Sequence, residues 1–479
     1  MHKPIRFTDL GLSFPHKLCF ADFNEQIHHG ARIGIIGRNG IGKSTLLKII
    51  QGTWTAFSGS VSLPSDVQLG YLPQIIEHTG NCSGGESLNH ALTQALCCDP
   101  NVLLLDEPTN HLDKTNRRSL MRHLCHYPGT LIMVTHDVEL LRNSVDTLWH
   151  IHAGKIAVFH GNYEDFQRQL SHKKEQLEKE RDKLQQEKKT AHLSLMKTQE
   201  RNKNLRQKGE KSIEQRKWPT IRSKTSFASG ITTGDKRLHQ IREKQAFLQE
   251  ELSALYQPET IEMHFQIPQD PNPKTLITIT EGSIAFTQHP SDSPFLSNLN
   301  FHLQSAERVS LYGDNGSGKS TFIKALLNQA GLYKAGQWVA PQASTIGYLD
   351  QHYQTLHPEL SAFDMVASYM PGANHQEIRK HLNTFLFRKN EEVDTLIKHL
   401  SGGERLRLSL CCIAAKPPAL LILDEVTNNL DLETKAHVRQ VVADFPGALI
   451  VISHDSDFLQ AIHIQTSYLF KAGSMHREE

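Results

Sequence analysis

The hydrophobic pattern divides the chain into strand-like and helix-like segments. Two runs without a polar residue, at 102–105 and 420–423, each end in an Asp-Glu pair. Runs of this length predict strands that are buried on both faces of a parallel sheet. Two further apolar segments, at 32–36 and 309–312, also predict strands. Each leads through a glycine-rich turn into a predicted helix, at 43–50 and 319–327.

The middle of the chain has a different pattern, typical of long exposed helices. Residues 168–206 contain no Pro or Gly, and leucines recur among Lys, Glu, Gln and Arg. This composition predicts one helix, about 60 Å long at about 1.5 Å per residue. Residues 236–256 carry an apolar face and predict a second helix. The two helices can pack as an antiparallel hairpin with residues 207–235 at its tip.

One ordered set of short motifs occurs twice, so the chain contains an internal repeat. The first copy holds GRNGIGKS, GYLPQ, SGGE, LLLDE and VTHD, and the second holds GDNGSGKS, GYLDQ, SGGE, LILDE and ISHD. The offset between copies is 276 and 277 for the first two motifs and 318 for the last three. The second copy therefore has 41 additional residues between GYLDQ and SGGE. A polar-apolar stretch at 375–387 in this interval predicts a small helical subdomain, for which the first copy has almost no room.

These patterns divide the chain into three parts. We predict a first α/β domain at 1–163, a helical-hairpin linker at 164–258, and a second α/β domain at 259–479. The linker is basic, because residues 168–258 contain 22 Lys and Arg against 12 Asp and Glu, a net charge of +10. The whole chain carries +1, so the remaining residues carry −9.

Composition limits the class of protein further. With 38% hydrophobic and 22% charged residues, the 479-residue chain is typical of a globular protein of two to three domains. No stretch reaches the roughly 18 uninterrupted apolar residues of a transmembrane helix, and residues 1–8 show no secretory signal. We therefore expect a cytoplasmic location. Seven cysteines without a CxxC pair fit reduced thiols and disfavour zinc or disulfide frameworks.

Each GxxxxGKS segment follows a predicted strand and precedes a predicted helix, which is the setting of a phosphate-binding loop, or P-loop. Backbone N–H groups of such a loop surround phosphates, the lysine neutralises them, and the serine binds magnesium. The expected nucleotide-binding residues in the two loops are Gly37, Asn39, Gly40, Gly42, Lys43, Ser44 and Thr45, and Gly313, Asn315, Gly316, Gly318, Lys319, Ser320 and Thr321.

The Asp-Glu pairs place carboxylates at the ends of two predicted strands. Asp106 and Asp424 can hold Mg²⁺ through water. Glu107 and Glu425 are the candidate general bases, because a carboxylate just past the magnesium aspartate can reach the γ-phosphate side. Acidic strand ends without a catalytic role are the alternative, which the paired P-loops disfavour. The SGGE segments precede helices and offer further N–H groups to phosphate.

The whole ordered set resembles the ATP-binding cassette superfamily, and the resemblance covers both copies. It implies ATP and Mg²⁺ as cofactors, ATP hydrolysis as the activity, and two cassettes that close head to tail within one monomeric chain. The implied first site comprises Lys43, Ser44, Gln74, Asp106, Glu107 and His136 with Ser401 and Gly403. The implied second site comprises Lys319, Ser320, Gln351, Asp424, Glu425 and His454 with Ser83 and Gly85.

The same resemblance implies roles for residues outside the P-loops. It assigns catalytic histidines, magnesium-binding glutamines and adenine-stacking phenylalanines, namely His136 and His454, Gln74 and Gln351, and Phe14 and Phe286. For the two phenylalanines, packing in the core is the alternative.

Two motifs depart from the superfamily pattern. The first signature reads CSGGES in place of LSGGER. The second copy has Val426 and Asn429 where the first has Pro108 and His111. Because each composite site departs from the pattern somewhere, we expect the two sites to hydrolyse ATP at different rates.

Two cassettes in one chain, the EPTNHLD segment at 107–113 and the basic hairpin between the cassettes resemble the ABC-F family of translation factors. This resemblance implies a ribosome partner, with the linker entering from the tRNA exit site towards the P-site tRNA and the peptidyl transferase centre. Cations displace counterions from RNA, and a tryptophan can stack on an unpaired base. The candidate RNA-binding residues are Arg206, Lys208, Lys211, Arg216, Lys217, Trp218, Arg222 and Lys224.

Several alternatives stay open at this point. A solvated, charged coiled coil would explain the linker composition alone. The nine-position step from Gln74 to Ser83 cannot hold the arm that ABC-F proteins commonly insert there, and 25 residues follow His454. This arm-less pattern resembles members that protect ribosomes from antibiotics, with housekeeping translation factors as the alternative. The energising subunit of a transporter would normally carry a helical subdomain in both cassettes. A DNA-maintenance ATPase would place its coiled coil between the P-loop and the LLLDE strand.

Overall fold

The protein is represented by a computed structural model. The structure describes residues 2–14, 17–74, 84–110, 112, 114–214, 241, 247, 275–286, 294–350, 353, 355–427, 430–471 and 473–478. The chain divides into two compact units, one formed by Met1–Tyr163 with Thr260–Glu479 and the other by Glu164–Glu259. The first unit holds both α/β cassettes, and the second holds the linker.

The first cassette combines a six-stranded sheet with a smaller antiparallel sheet. Its elements are β1 (Ile5–Phe14), β2 (Lys17–Ile27), β3 (Arg32–Gly37), α1 (Lys43–Gln51), β4 (Ser58–Ser62), β5 (Leu69–Leu72), α2 (Gly84–Leu96), β6 (Val102–Asp106), α3 (Lys114–Cys125), β7 (Thr130–Val134), α4 (Val138–Ser144), β8 (Thr147–His152) and β9 (Lys155–His160). The six-stranded sheet has the order β5-β6-β7-β3-β8-β9, in which only β9 is antiparallel to its neighbour. The antiparallel sheet has the order β2-β1-β4.

The linker begins with one long helix, α5 (Tyr163–Glu214), of 52 residues. The prediction ended this helix at 206, but residues 207–214, assigned to the hairpin tip, are helical as well. Lys, Gln, Glu and Arg are strong helix formers, and the single Gly209 costs only about 1 kcal/mol, so the helix continues through it. The rest of the tip and almost all of the predicted second helix lie outside the described residues. No helix in the described ranges is both long and apolar enough to cross a membrane.

The second cassette repeats the architecture of the first. Its elements are β10 (Thr275–Ala285), β11 (Leu296–Gln304), β12 (Arg308–Gly313), α6 (Lys319–Leu326), β13 (Tyr333–Val339), β14 (Ile346–Leu349), α7 (Ala362–Tyr369), α8 (His375–Thr384), α9 (Asn390–Asp394), α10 (Gly402–Ala415), β15 (Leu420–Asp424), α11 (Leu432–Ala443), β16 (Ala448–Ile452), α12 (Ser456–Ala461), β17 (Thr466–Lys471) and β18 (Ser474–Glu478). The large sheet has the order β14-β15-β16-β12-β17-β18, and the small sheet has the order β11-β10-β13.

Helices α7, α8 and α9 occupy the interval that has no counterpart of equal length in the first copy. They pack with α10 around a buried apolar cluster that includes Met365, Ile378 and Leu382. The helix predicted at 375–387 is therefore present as α8, and it belongs to a helical subdomain of the second cassette.

The central parallel strands of each cassette consist of Leu, Val and Ile with few polar residues, and their side chains are buried. Parallel strands end at the same edge of a sheet. The segments that follow β3, β6 and β7 therefore lie side by side, and those that follow β12, β15 and β16 do the same. These two edges position the P-loops, the Asp-Glu pairs and the His-Asp pairs.

The core of the first cassette is completed by Trp149, which is 1% exposed and lies between the two sheets. Its ring contacts Phe7 edge-on at a centroid distance of 5.4 Å and Phe23 at 4.9 Å. Replacing it leaves a large cavity beside two aromatic rings.

Trp149→Ala is expected to destabilise the first cassette by about 3–5 kcal/mol, because the buried indole and its ring contacts are lost. Trp54, 48% exposed, provides the matched control, and Trp54→Ala should cost less than about 1 kcal/mol. Urea unfolding followed by circular dichroism measures both. Equal midpoints for the two variants would contradict this view of the core.

Candidate active site

The first P-loop connects β3 to α1, and its lysine is buried beneath the loop. Gly42 precedes α1 with a φ of +96°, in the left-handed region where glycine meets no steric penalty. The ammonium of Lys43 donates to the carbonyls of Gly37 at 2.7 Å and Arg38 at 3.0 Å, and to Asn39 Oδ1 at 3.3 Å. Burial lowers the pKa of Lys43 to about 8, although the nearby carboxylates oppose the shift. A phosphate group bound at this loop would place negative charge beside the buried Lys43 and stabilise its charged form.

The second P-loop has the same construction between β12 and α6. Gly318 has a φ of +102°. Lys319, also buried, donates to the carbonyls of Gly313 at 2.8 Å and Asp314 at 2.9 Å. Both loops therefore hold a lysine curled back on main-chain oxygens, with the N–H groups of the following helix at the loop centre.

Each P-loop serine contacts the aspartate that ends the neighbouring strand. Ser44 Oγ donates to Asp106 Oδ1 at 3.0 Å, and Ser320 Oγ donates to Asp424 Oδ1 at 3.4 Å. Tyr348, which the sequence reasoning missed, donates its hydroxyl to Asp424 Oδ2 at 3.3 Å. Burial raises the pKa of both aspartates. A hydroxyl beside a carboxylate is a set of hard oxygen donors, the kind that Mg²⁺ prefers.

The two candidate general bases follow these aspartates in an unusual backbone conformation. Glu107 has a φ of +49° and Glu425 a φ of +52°, which is the left-handed region that side-chain-bearing residues rarely adopt. The amide of Glu107 donates to the carbonyl of Val134 at 2.8 Å, and that of Glu425 donates to Ile452 at 3.0 Å. The turn therefore ties each glutamate to the end of the next parallel strand.

In the first cassette the glutamate faces the predicted histidine. Glu107 Oε1 lies 3.3 Å from His136 Nε2, and the His136 amide donates to Glu107 Oε2 at 3.3 Å. Burial raises the pKa of Glu107 to about 7 and, together with the charges of Lys43 and Lys435, lowers the pKa of His136 well below its usual value. The imidazole is thus neutral. The pair can orient a water molecule and accept its proton.

A cavity of about 420 Å³ opens over the first P-loop, within the usual size range of small-molecule sites of about 300–1,000 Å³. Its wall brings together residues from the loop, from the Gln motif, from the strand ends and from the predicted adenine-binding position. They are Phe14, Asn39, Gly40, Gly42, Lys43, Ser44, Thr45, Gln74, Glu107, Asn110, Val134 and His136.

Other predicted site residues do not line this first cavity, and two of them, Gly85 and Phe286, were predicted for the second cassette's site. Ser401 and Gly403 do not line this cavity. Ser401 caps α10, with its hydroxyl 2.7 Å from Glu404 Oε2, and Gly403 lies in the first turn of that helix. Phe286 is 55% exposed and packs against Phe295 at a centroid distance of 5.2 Å. Gly85 lies in α2.

The remaining predicted residues divide between the second loop and the undescribed ranges. Asn315, Gly316 and Thr321 lie in or directly after the second P-loop. The RNA-binding candidates Arg206, Lys208 and Lys211 belong to α5. Outside the described residues are Ser83, Gln351, Arg216, Lys217, Trp218, Arg222 and Lys224.

The second cassette contacts the first P-loop directly. Asn39 N donates to Asp431 Oδ2 at 3.0 Å, and Arg38 Nε lies 2.5 Å from Glu433 Oε2. Asp431 is the last residue of the segment EVTNNLD and caps α11, where its other oxygen accepts from the amide of Thr434. The two cassettes therefore meet face to face at the first site. The sequence reasoning did not assign either carboxylate.

Comparison with known proteins agrees with this geometry. A family model described as ABC transporter matches residues 20–74 and 296–428. The ribosome protection protein VmlR of Bacillus subtilis is 29% identical over 490 residues, which cover 96% of this chain and 85% of that protein. The probable ATP-binding protein YheS of Haemophilus influenzae is 32% identical over 411 residues, covering 85% of this chain and 58% of that protein.

The chain is similar over most of its length to ATP-binding cassette proteins of the ABC-F family. A solved structure of archaeal aABCE1, in complex with the ribosomal stalk protein aP1, shares the fold with a TM-score of 0.61 at 16% identity. The match covers 98% of this chain and 89% of that one. The predicted fold class of two P-loop ATPase domains is thus confirmed, and so is the predicted ATPase activity. Its cassettes bind ATP.

Lys43→Ala is expected to weaken ATP binding at the first site by about 10- to 100-fold, because a charged hydrogen-bond donor to phosphate is lost. The second site retains Lys319, so calorimetric titration should detect one fewer tight nucleotide per chain. Lys48→Ala, at the exposed side of the same helix, should keep both nucleotides. An unchanged stoichiometry in Lys43→Ala would contradict the assignment.

Proposed function

We propose that the protein is a ribosome-binding ATPase that engages the ribosome with its cassettes closed around ATP and leaves after hydrolysis. The observation that carries this proposal is the contact of Asp431 with Asn39, which makes the first P-loop a shared surface of both cassettes. ATP bound at such a surface adds contacts to both cassettes only when they are closed. Its binding energy therefore favours the closed form.

The first site brings together groups that could bind ATP and activate water for this reaction. Lys43 and the N–H groups of the P-loop would hold the phosphates, and the ring of Phe14 would stack on the adenine. Glu107 would accept a proton from the attacking water, with His136 orienting the glutamate and the terminal phosphate. These roles rest on the wall of the cavity and on the 3.3 Å approach of Glu107 to His136.

Mg²⁺ would fit beside Ser44, Gln74 and Asp106. Ser44 and Gln74 line the same cavity, and the Ser44 hydroxyl already pairs with the Asp106 carboxylate. When bound there, Mg²⁺ would neutralise charge on the phosphates. In the second cassette Ser320 and Asp424 offer the corresponding pair, with Gln351 as the third expected ligand.

The linker is the proposed ribosome-binding element. Residues 168–258 carry a net charge of +10, and residues 197–224 contain 10 basic and 3 acidic residues. The helix α5 would span about 78 Å, enough to carry such a segment deep into an RNA-walled channel. We propose that this segment approaches the P-site tRNA and the peptidyl transferase centre, where cations release counterions from RNA.

The relatives support the same partner. VmlR is named a ribosome protection protein, and aABCE1 was solved with a ribosomal stalk protein. We therefore propose a cytoplasmic translation factor or a factor that protects ribosomes from antibiotics. The arm-less first cassette favours the protective role.

Replacing Glu107 and Glu425 together by Gln should trap the protein on ribosomes in the presence of ATP, because binding and closure persist while water activation is lost. Sucrose-gradient sedimentation with and without ATP measures the trapped fraction. Lys43→Ala with Lys319→Ala is the matched control, since it removes nucleotide binding and should leave the protein at the top of the gradient.

The same preparation separates the competing functions. Recovery of the Gln variant only in the ribosome-free fractions would overturn the proposal. Association that survives RNase and is lost with DNase would indicate a DNA-maintenance ATPase. Association with membrane subunits would indicate the energising component of a transporter.

A further inference from the structure

Two basic side chains cross the cassette interface and contact the backbone of the predicted catalytic histidines. Arg117, on α3 of the first cassette, donates from Nη1 to the carbonyl of His454 in the second cassette at 3.2 Å. Lys435, on α11 of the second cassette, donates from Nζ to the carbonyl of His136 in the first cassette at 3.2 Å. We infer that Arg117 and Lys435 are positioning residues. Each one holds in place the loop of the other cassette that carries the predicted catalytic histidine, which we call the histidine loop.

Each cation is anchored within its own cassette by the residue that follows that cassette's histidine. Arg117 Nη2 lies 2.5 Å from Asp137 Oδ1 and 3.1 Å from Glu139 Oε2. Lys435 Nζ lies 3.2 Å from Asp455 Oδ2. Asp137 caps α4 and Asp455 caps α12, so both anchors are fixed by a helix start. Each cation therefore bridges the two histidine loops.

The arrangement is reciprocal, as the internal repeat requires. Adding the repeat offset of 318 to Arg117, His136 and Asp137 gives Lys435, His454 and Asp455. The two bridges lie around one cavity of about 60 Å³ whose wall contains these equivalent residues from both cassettes. Equivalent residues of the two cassettes therefore make the same contact in both directions. An interface in which each contact occurs twice in this way has two-fold symmetry.

The bridges are shielded from water, in contrast to another ion pair across the same interface. The side chains of Arg117 and Asp137 are 14% and 8% exposed, and those of Lys435 and Asp455 are 19% and 22% exposed. Arg142 and Asp457 also pair across the cassettes, at 3.0 Å, but are 40% and 38% exposed. Exposed pairs contribute little, whereas charged hydrogen bonds in shielded positions contribute more. The two bridges are therefore the stronger link.

The position of the first histidine loop matters because that loop contacts the candidate base Glu107, and the repeat extends the argument to the second cassette. Both Nε2 and the main-chain amide of His136 lie 3.3 Å from the Glu107 carboxylate. A shift of the His136 carbonyl would move both contacts. Lys435 should thus govern hydrolysis at the first site, and Arg117 should govern hydrolysis at the second, opposite to the cassette in which each residue lies. This inference rests on the ATPase activity and not on the ribosome as partner.

The test uses purified full-length protein without ribosomes and compares the two sites separately. In a Glu107→Gln background only the second site cleaves ATP, and in a Glu425→Gln background only the first site does. Single-turnover hydrolysis of radiolabelled ATP is measured with the enzyme in excess. Arg117→Ala should slow cleavage about tenfold in the Glu107→Gln background and less than about twofold in the other. Lys435→Ala should show the reverse pattern.

Two further sets of variants make the result specific. Arg142→Ala should change cleavage at either site by less than about twofold, because its ion pair with Asp457 is exposed. Arg117→Lys and Lys435→Arg should restore most of the lost rate, since each position needs a cation that reaches the carbonyl. If Arg117→Ala does not fold, Lys435→Ala in the two backgrounds gives the crossed comparison by itself. Equal loss at both sites, loss at the site of the residue's own cassette, or no loss at either site would overturn the inference.

Discussion

The hydrogen bond between the Asp431 carboxylate and the amide of Asn39 is the contact on which the rest of the arrangement depends. It places a residue of one cassette on the phosphate-binding loop of the other. Arg38, one residue before Asn39, also forms an exposed ion pair with Glu433, two residues after Asp431. Nucleotide at this loop is then sensed by both cassettes, because the loop cannot change shape without affecting the start of α11. Binding energy can therefore be converted into closure.

The linker and the cassettes carry opposite net charges, which suit the proposed RNA binding of the linker and the nucleotide binding of the cassettes. The linker segment 168–258 carries +10, and the remaining residues carry −9. An acidic body would be repelled by the phosphates of ribosomal RNA and a basic segment attracted, so the proposed contact with RNA would be confined to the linker. The cassettes are then free to act as a nucleotide-controlled clamp. The reciprocal bridges of Arg117 and Lys435 would couple the position of the histidine loop in one cassette to its position in the other.

Much of the fold and of the first site could be predicted because the signals are local. The strand before each P-loop, the helix after it and the approach of Ser44 to Asp106 follow from short apolar runs and from the meeting of parallel strand ends. The contacts between cassettes could not be predicted in this way, since they join residues 299 to 395 positions apart. The repeat offset was nevertheless a usable signal, because it pairs Arg117 with Lys435 as it pairs the two histidines. Ser401 caps α10, and its role at the first site stays a prediction.

The central claim is that nucleotide-driven closure of the cassettes controls binding to the ribosome. It is tested most directly by measuring the distance between the cassettes and the ribosome-bound fraction in one sample. Spin labels at exposed Phe57 of the first cassette and exposed Val339 of the second would report the distance. We expect one closed distance to dominate with ATP in the hydrolysis-deficient chain, a broader and different distribution with ADP, and a ribosome-bound fraction that follows the closed population. Equal ribosome binding with ADP and ATP, or binding that does not follow the distance, would contradict the account.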